Sequence, residues 1–277
     1  MIAVVADSAA DLPPGLAPAI SIVPLTVRFG SNEFRDGVDL PATAFWERVD
    51  AGPEFPTTAS PPPAALLEAY RAAAERGAAG VVSVHVSGKL SRTAESARMA
   101  GGEAPLPVEV VDSRSVSLGE GLVALAASEA AEAGGDLAAV AATARGAVAR
   151  LEVYALLETV DFLRRGGRVG RAKAAVTDLL RIRPILSVED GEPVLVARAR
   201  TRGRALDEVL ERAAGPAEAA GVLHGGASEA SEVAARVREA CGVEPIVTLI
   251  GAVTGTHLGP AALGVAVLRP ESTLASQ

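Results

Sequence analysis

Residues 80–97 read GVVSVHVSGKLSRTAESA. A β-branched apolar run, 80–86, breaks into Ser87-Gly88-Lys89-Leu90-Ser91-Arg92, and an Ala- and Glu-containing segment then resumes at helical spacing. A continuous apolar run of this length predicts a strand buried on both faces, and the segment after the break predicts a helix packed back onto it. The same unit recurs. IAVVA (2–6) leads into DSAADLPPGL, and VEVVD (108–112) leads into SRSVSLGEGLVALAASEAAEAGG. Strands separated by helical stretches predict βαβ crossovers and a parallel sheet. Between the first two units, SIVPLTVRFGSNEFRDGVDL (21–40) predicts a hairpin or edge segment turning at Phe29-Gly30-Ser31-Asn32. From about residue 152 the pattern changes. EDGE (189–192) sits between two apolar runs as a hairpin turn, and the segments that follow predict an α+β unit with antiparallel pairing.

Composition bounds the function. The chain has 277 residues, 49% hydrophobic and 22% charged, which is the make-up of a folded protein large enough for two modest domains. Aromatics are 3%, so the core is aliphatic. The net charge of −8 favours neither nucleic acid nor an anionic membrane surface. One cysteine, Cys241, excludes an intramolecular disulfide and a cysteine-based zinc site. No apolar run reaches 18 residues, and the N-terminus lacks the charged start of a signal peptide, so the expectation is a cytoplasmic protein.

The 87–93 loop invites three readings. A phosphate loop needs glycine five positions before Gly88 and Ser or Thr after Lys89, but Ser83 and Leu90 stand there. A nucleophile elbow needs glycines two residues to either side of Ser91, where Lys89 and Thr93 lie. What survives is a helix N-terminus with free N–H groups and hydroxyls beside it, and locally Ser91 or Thr93 reads as a cap. FPTTASPPPAALLEAY (55–70) gathers Thr57, Thr58 and Ser60 in a loop before a proline-started helix, again as capping chemistry. TGTHLGPAALGV (254–265) sets His257 in a glycine-rich loop, where a ligand contact and a backbone-bonded histidine stay equally open. His85 alternates with valines and reads as a structural histidine. FLRRGGRVGRAKA (162–174) and the arginines at 198, 200, 202 and 204 read as an anion or partner surface, or as plain solvated faces. Asp7 and Asp11 read as turn and cap residues, with no third acid nearby in sequence to suggest a metal site. GEGLVA (119–124) matches Gly-x-Gly-x-x-Ala but does not directly follow its strand, so a dinucleotide site is disfavoured.

Taken in order, DSAADLP, VPLTVRFG, DGVDL, PTTASPPP, VSGKLSRTAESA, VVDSRSVSLGEG, FLRRGGRVGRAKA, LLRIRPIL and GTHLGPAALGV resemble the DegV family over nearly the whole chain. Its members are bacterial fatty-acid-binding proteins, several of them the binding subunit of fatty acid kinase. The resemblance implies an α/β, two-domain DegV-like fold: an N-terminal domain (1–155) with a mainly parallel sheet flanked by helices, and a C-terminal α+β domain (156–277) with a mixed or antiparallel sheet. It also implies a long-chain fatty acid, such as palmitate or oleate, buried between them. The carboxylate would be bound by Thr58, Ser91 and His257, with Arg200 touching the kinase subunit, which phosphorylates the carboxylate. No metal or cofactor is implied, and no catalysis by this chain.

The chain departs from the family pattern at several positions. Ala59-Ser60 replaces Ser-Gln, Ala261 replaces a glycine, and Arg92 replaces the glycine after the key serine. The last adds a cation, and Arg92 is expected to pair with the carboxylate. An aliphatic interior suits an acyl chain, each buried methylene contributing roughly 0.8 kcal/mol. The alternatives are a hydrolase or transferase using Ser91 or His257, for which no Ser–His–Asp spacing speaks, and a regulatory module for another small anion.

Overall fold

The computed structural model describes residues 1–52, 54–175 and 182–271. In chain order the first part holds β1 (Ile2–Asp7), β2 (Ile20–Val23), β3 (Thr26–Phe29), β4 (Asn32–Arg35), α1 (Ala42–Ala51), β5 (Thr57–Ala59), α2 (Pro63–Glu75), β6 (Gly80–His85), α3 (Thr93–Gly101), β7 (Val108–Asp112), α4 (Leu118–Glu132) and α5 (Leu137–Arg150). The second holds β8 (Leu151–Leu156), α6 (Asp161–Arg165), β9 (Arg183–Glu189), β10 (Glu192–Ala199), α7 (Arg202–Ala213), β11 (Ala219–His224), α8 (Ala230–Cys241), β12 (Ile246–Leu249), α9 (Ala252–Leu258) and β13 (Leu263–Leu268). Of the LLRIRPIL motif, residues 179–181 lie outside the described residues.

Four parallel strands, ordered β2-β1-β6-β7, form the first sheet. Its apolar runs face two ways. Val5 and Val81 pack with Leu66, Tyr70 and Ala97 of α2 and α3. Val4, Val82 and Val84 pack with Leu118 and Leu122 of α4. The second sheet, ordered β10-β9-β8-β13-β11-β12, is antiparallel except where β11 pairs β12. Its outer face is closed by α7 and α8 through residues such as Val209, Leu210 and Val237. The expected α/β fold with a mixed second sheet is therefore present. Sheet membership changes between Arg150 and Leu151, so the expected division after residue 155 falls inside β8, which belongs wholly to the second sheet.

Helix α4 joins the two sheets and is buried nearly all round, the condition for a helix with no polar face. This explains GEGLVA without a nucleotide: a Cβ at Gly121 would stand 2.8 Å from the Ala10 carbonyl oxygen, and one at Gly119 2.7 Å from a Val153 methyl. The 21–40 segment splits into β2, the edge of the first sheet, and the β3–β4 hairpin, whose register pairs Phe29 with Asn32. EDGE makes the β9–β10 turn, with Asp190 and Gly191 both left-handed (φ 50° and 81°). Two sequence expectations fail locally. Thr57 and Thr58 lie in β5, which pairs with β3, and not in a loop. EPIVTLIGAV is a short strand followed by α9, so His257 stands on a helix.

Candidate functional site

Beyond β6 the chain is tied down at Ser87. Its N–H donates to the Ser115 carbonyl (2.8 Å) and its hydroxyl to the Gly191 carbonyl (2.7 Å), which anchors the loop to the β9–β10 turn of the other sheet. The next residues climb to α3, whose N-cap is Arg92 and which has no side-chain cap. The capping role expected of Ser91 or Thr93 is thus not taken. The Ser91 hydroxyl meets Ser60 Oγ at 2.9 Å and Thr93 Oγ1 at 2.8 Å instead. Ser60 follows β5, whose register against β3 places Thr58 opposite Val27. From the second half of the chain α9 brings His257, whose Nε2 lies 2.9 Å from Thr58 Oγ1.

The protons of this cluster can be assigned if its task is to hold a carboxylate, which only accepts. Thr58 has one hydroxyl hydrogen. To give it to an anion, its oxygen must accept from His257 Nε2–H. That tautomer leaves His257 Nδ1 unprotonated, and Nδ1 is the ring atom that is buried without a partner among the described residues. A bare acceptor there costs less than an orphaned donor. Likewise Ser91 is free to donate outward only if Ser60 and Thr93 both donate to it, and its two lone pairs accommodate both. Two O–H groups, from Thr58 and Ser91, then point the same chemistry at one place.

These groups line a cavity of about 110 Å³ whose remaining wall includes Leu25, Val86, Val116, Leu163, Val253 and Leu258. Arg168, from the arginine-rich 162–174 stretch, joins the polar lining, its guanidinium held by the carbonyls of Leu90 (3.2 Å) and Gly166 (2.6 Å). Burial, reinforced by the Arg168 charge, pushes His257 down to about 4, so the imidazole is neutral at physiological pH. Sequence reasoning did not single out Arg168 among the four arginines of its motif, nor assign Ser60 or Thr93 to the site, because no local feature distinguishes them.

Of the residues expected at the head group, Thr58, Ser91 and His257 are brought together. The Arg92 side chain is not. It is 81% exposed and forms a bidentate pair with Glu95, at 2.7 and 2.9 Å, one turn along α3. Arg200 lies apart as well, exposed where β10 gives way to α7, about 23 Å along the strand direction from Pro193, which lines the cavity.

A second polar constellation lies inside the first sheet. Tyr70 donates to Ser83 Oγ (2.8 Å), Ser83 meets His85 Nε2 (2.7 Å), and His85 Nδ1 meets Asp7 Oδ2 (3.0 Å). The order Ser–His–Asp is that of a hydrolase triad. Yet Ser83 is fully buried with Tyr70 set on its oxygen, so it offers no nucleophile to a substrate. Ser91, on the cavity, has hydroxyls as its side-chain partners and, among the described residues, no hydrogen-bonded base. His85 is thereby the satisfied structural histidine its strand position predicts. The acids are less isolated than their sequence spacing suggests: Asp36 and Glu120 approach Asp7 and Asp11 in space. Among the described residues, however, no group of three His, Cys, Asp or Glu is arranged to hold a metal.

Comparison with known proteins agrees with this architecture. A family model described as an uncharacterised protein of the DegV family matches residues 1–270. A DegV domain-containing protein of Mycobacterium tuberculosis is 40% identical over 279 residues, covering 96% of each chain. A solved DegV family protein from Thermus thermophilus, described by its fatty acid binding, superposes with a TM-score of 0.88 at 34% identity, covering 97% of this chain and 99% of its own. DegV of Bacillus subtilis, described as a fatty acid binding protein, gives a TM-score of 0.85 at 30% identity, covering 96% and 98%. Among the described residues no helix is long and apolar enough to cross a membrane. By sequence and by fold, this chain belongs to the DegV family.

Proposed function

We propose that this chain binds a long-chain fatty acid, its carboxylate held by Thr58 and Ser91 with His257 and Arg168 behind them. One observation carries the reading: a cavity lined largely by aliphatic side chains also holds the hydroxyls of Thr58 and Ser91, a neutral histidine and a guanidinium. A carboxylate taken from water without donors or an opposite charge is strongly unfavourable, and this cluster supplies both. The acyl chain is favoured by burial of its methylenes, at roughly 0.8 kcal/mol each. The fatty acid binding of the solved DegV proteins from Thermus thermophilus and Bacillus subtilis supports the same assignment.

The head group lies between the two halves, with donors from both, and in this reading it is presented to a fatty acid kinase that converts it to an acyl phosphate. Arg200, exposed and outside the cavity, is the proposed contact for that partner. The reading places the protein in the cytoplasm, in keeping with a lone, buried Cys241. Native mass spectrometry of the purified protein, with lipid extraction, tests the assignment. A co-purifying fatty acid is the expected result; absence of any bound lipid together with no uptake of palmitate or oleate refutes it.

A further inference from the structure

Helix α9 carries the site histidine near its C-terminal end, and its other end is unusual. The N-cap is Gly251, which has no side chain to cap with, and the helix has only seven residues. A helix this short has little stability of its own, and its first N–H groups need acceptors from elsewhere. Both come from the first half of the chain. Asp11 Oδ1 accepts from Gly251 N–H at 2.9 Å, and Asp36 Oδ1 accepts from Ala252 N–H at 3.1 Å. Asp11 follows β1 in the left-handed region (φ 50°), and Asp36 follows the β3–β4 hairpin. The contact is close: a Cβ at Gly251 would stand 2.7 Å from Asp11 Oδ1 and about 3.5 Å from the Asp36 carboxylate. Three further bonds tie the same junction, from Thr248 Oγ1 to the Asp11 carbonyl (2.8 Å), Trp46 Nε1 to the Ile250 carbonyl (2.9 Å) and Thr254 Oγ1 to the Ala9 carbonyl (3.5 Å).

We propose that Asp11 and Asp36 are positioning residues for the carboxylate site: by gripping the N-terminus of α9 from the opposite half of the chain, they set where His257 stands beside Thr58. From Ala252 to His257 the helix rises about 7.5 Å, so a slip at the capped end is transmitted along little more than one turn. The consequence for a ligand rests on the reading of the site as a fatty acid carboxylate cradle; the consequence for His257 does not.

The grip is also sensitive to pH. Burial, with the Asp36 charge and against the Ser117 hydrogen bond, raises Asp11 to about 7, and burial raises Asp36 to about 6. The other titratable groups facing them are Asp7, which is bonded to His85, and Glu120 on α4. Glu120 is raised well above its ordinary range by burial and the Asp7 charge. A cavity of about 330 Å³ lined by Asp11 and Asp36 gives protons a route to the pair. Both folded values lie above the unfolded ones. The stability linked to these protons is therefore fully present below about pH 4 and is lost as pH rises from there through the folded values of about 6 and 7.

Two substitutions test this on the full chain. Asp36→Ala removes the acceptor, and Asp36→Asn keeps an oxygen for Ala252 N–H but abolishes the charge. Expected for Asp36→Ala are a shift of the His257 imidazole resonances in NMR spectra without ligand, and palmitate affinity roughly 5- to 30-fold weaker. Asn should rescue both at pH 5. Between pH 5 and 8 the ratio of wild-type to Asp36→Asn affinity should change by about threefold or more, and the ratio cancels the titration of the fatty acid itself. Unmoved His257 resonances with affinity within twofold of wild type in Asp36→Ala would overturn the proposal. So would parallel pH profiles for wild type and Asp36→Asn, the arm that decides if the alanine variant does not fold. A wild type that binds no palmitate refutes the fatty acid reading instead, and the resonance shift still decides the role of Asp36.

Discussion

Gly166 offers the sharpest test of how the site is built. It ends α6 with φ −72° and ψ −8°, a conformation alanine adopts freely. A methyl there would stand 2.2 Å from His257 Nδ1 and 2.8 Å from Cε1. Ordinary contact needs about 3.5 Å, so the imidazole or the helix end must move by about 1.3 Å. The 2.9 Å bond from His257 Nε2 to Thr58 does not survive such a shift of the ring. Overpacking of this kind costs about 1–3 kcal/mol, against a gain of about 0.4–1 kcal/mol from the stiffer unfolded chain. Gly166→Ala should therefore destabilise the protein by about 0.5–2 kcal/mol in chemical denaturation. Displacement of a fluorescent fatty acid should show affinity at least about tenfold weaker, as donors to a charged group are worth about 1.5–3 kcal/mol. Gly146→Ala is the control: it lies exposed in α5 with nothing within 4 Å of a new Cβ, and should stabilise by about 0.5–1 kcal/mol with unchanged affinity. If Gly166→Ala behaves like Gly146→Ala, His257 is not wedged between Gly166 and Thr58, and the proton assignment of the site fails with it.

Other consequences are as direct. Ser91→Ala removes one of the two outward donors and should weaken fatty acid binding about 10- to 100-fold by titration calorimetry, with unchanged affinity counting against the cradle. His257, about 4 when folded and 6.5 when free, makes the folded state take up fewer protons, so its contribution is present above pH 6.5 and is lost as pH falls toward 4. Thermal melts of wild type and His257→Gln should diverge over that window by at most about 3 kcal/mol, and parallel curves would contradict the buried, neutral imidazole. Arg200→Ala should leave fatty acid affinity within twofold of wild type while lowering acyl phosphate formation by a kinase partner; equal loss of both would move Arg200 into the binding site.

The parallel sheet was readable because a strand buried on both faces reads as a mainly apolar run, as 2–6 does throughout and 80–86 does apart from Ser83 and His85, whose polar groups pair with Tyr70 and Asp7. The β9–β10 turn was readable because Asp190-Gly191 is the pair that tolerates two left-handed residues in succession. Helix α9 was not, because Gly251, Gly255 and Gly259 punctuate it as they would a loop. Tertiary packing requires at least one of them, since a Cβ at Gly255 would stand 2.6 Å from Phe45 and 2.8 Å from Trp46. Arg92 misled in the other direction. Its place beside Ser91 suggested the anion, whereas Glu95, three residues on, lies on its own face of α3 and takes it. The convergence of Asp11 and Asp36 had no sequence signal at all. The two aspartates come together at the start of α9, Asp11 on Gly251, 240 residues beyond it, and Asp36 on Ala252, 216 residues beyond it.

The single tryptophan occupies an informative place. The Trp46 indole packs edge-on to Phe45 at 4.9 Å, donates to the Ile250 carbonyl, and lies along α9 where Gly255 admits it. Its fluorescence is therefore an intrinsic optical gauge of the junction. Any separation of the two halves that moves α9 must strip that hydrogen bond and wet the ring, shifting the emission to the red. Under the proposed function, a fatty acid whose entry moves α9 would be timed in the unlabelled protein from this one chromophore.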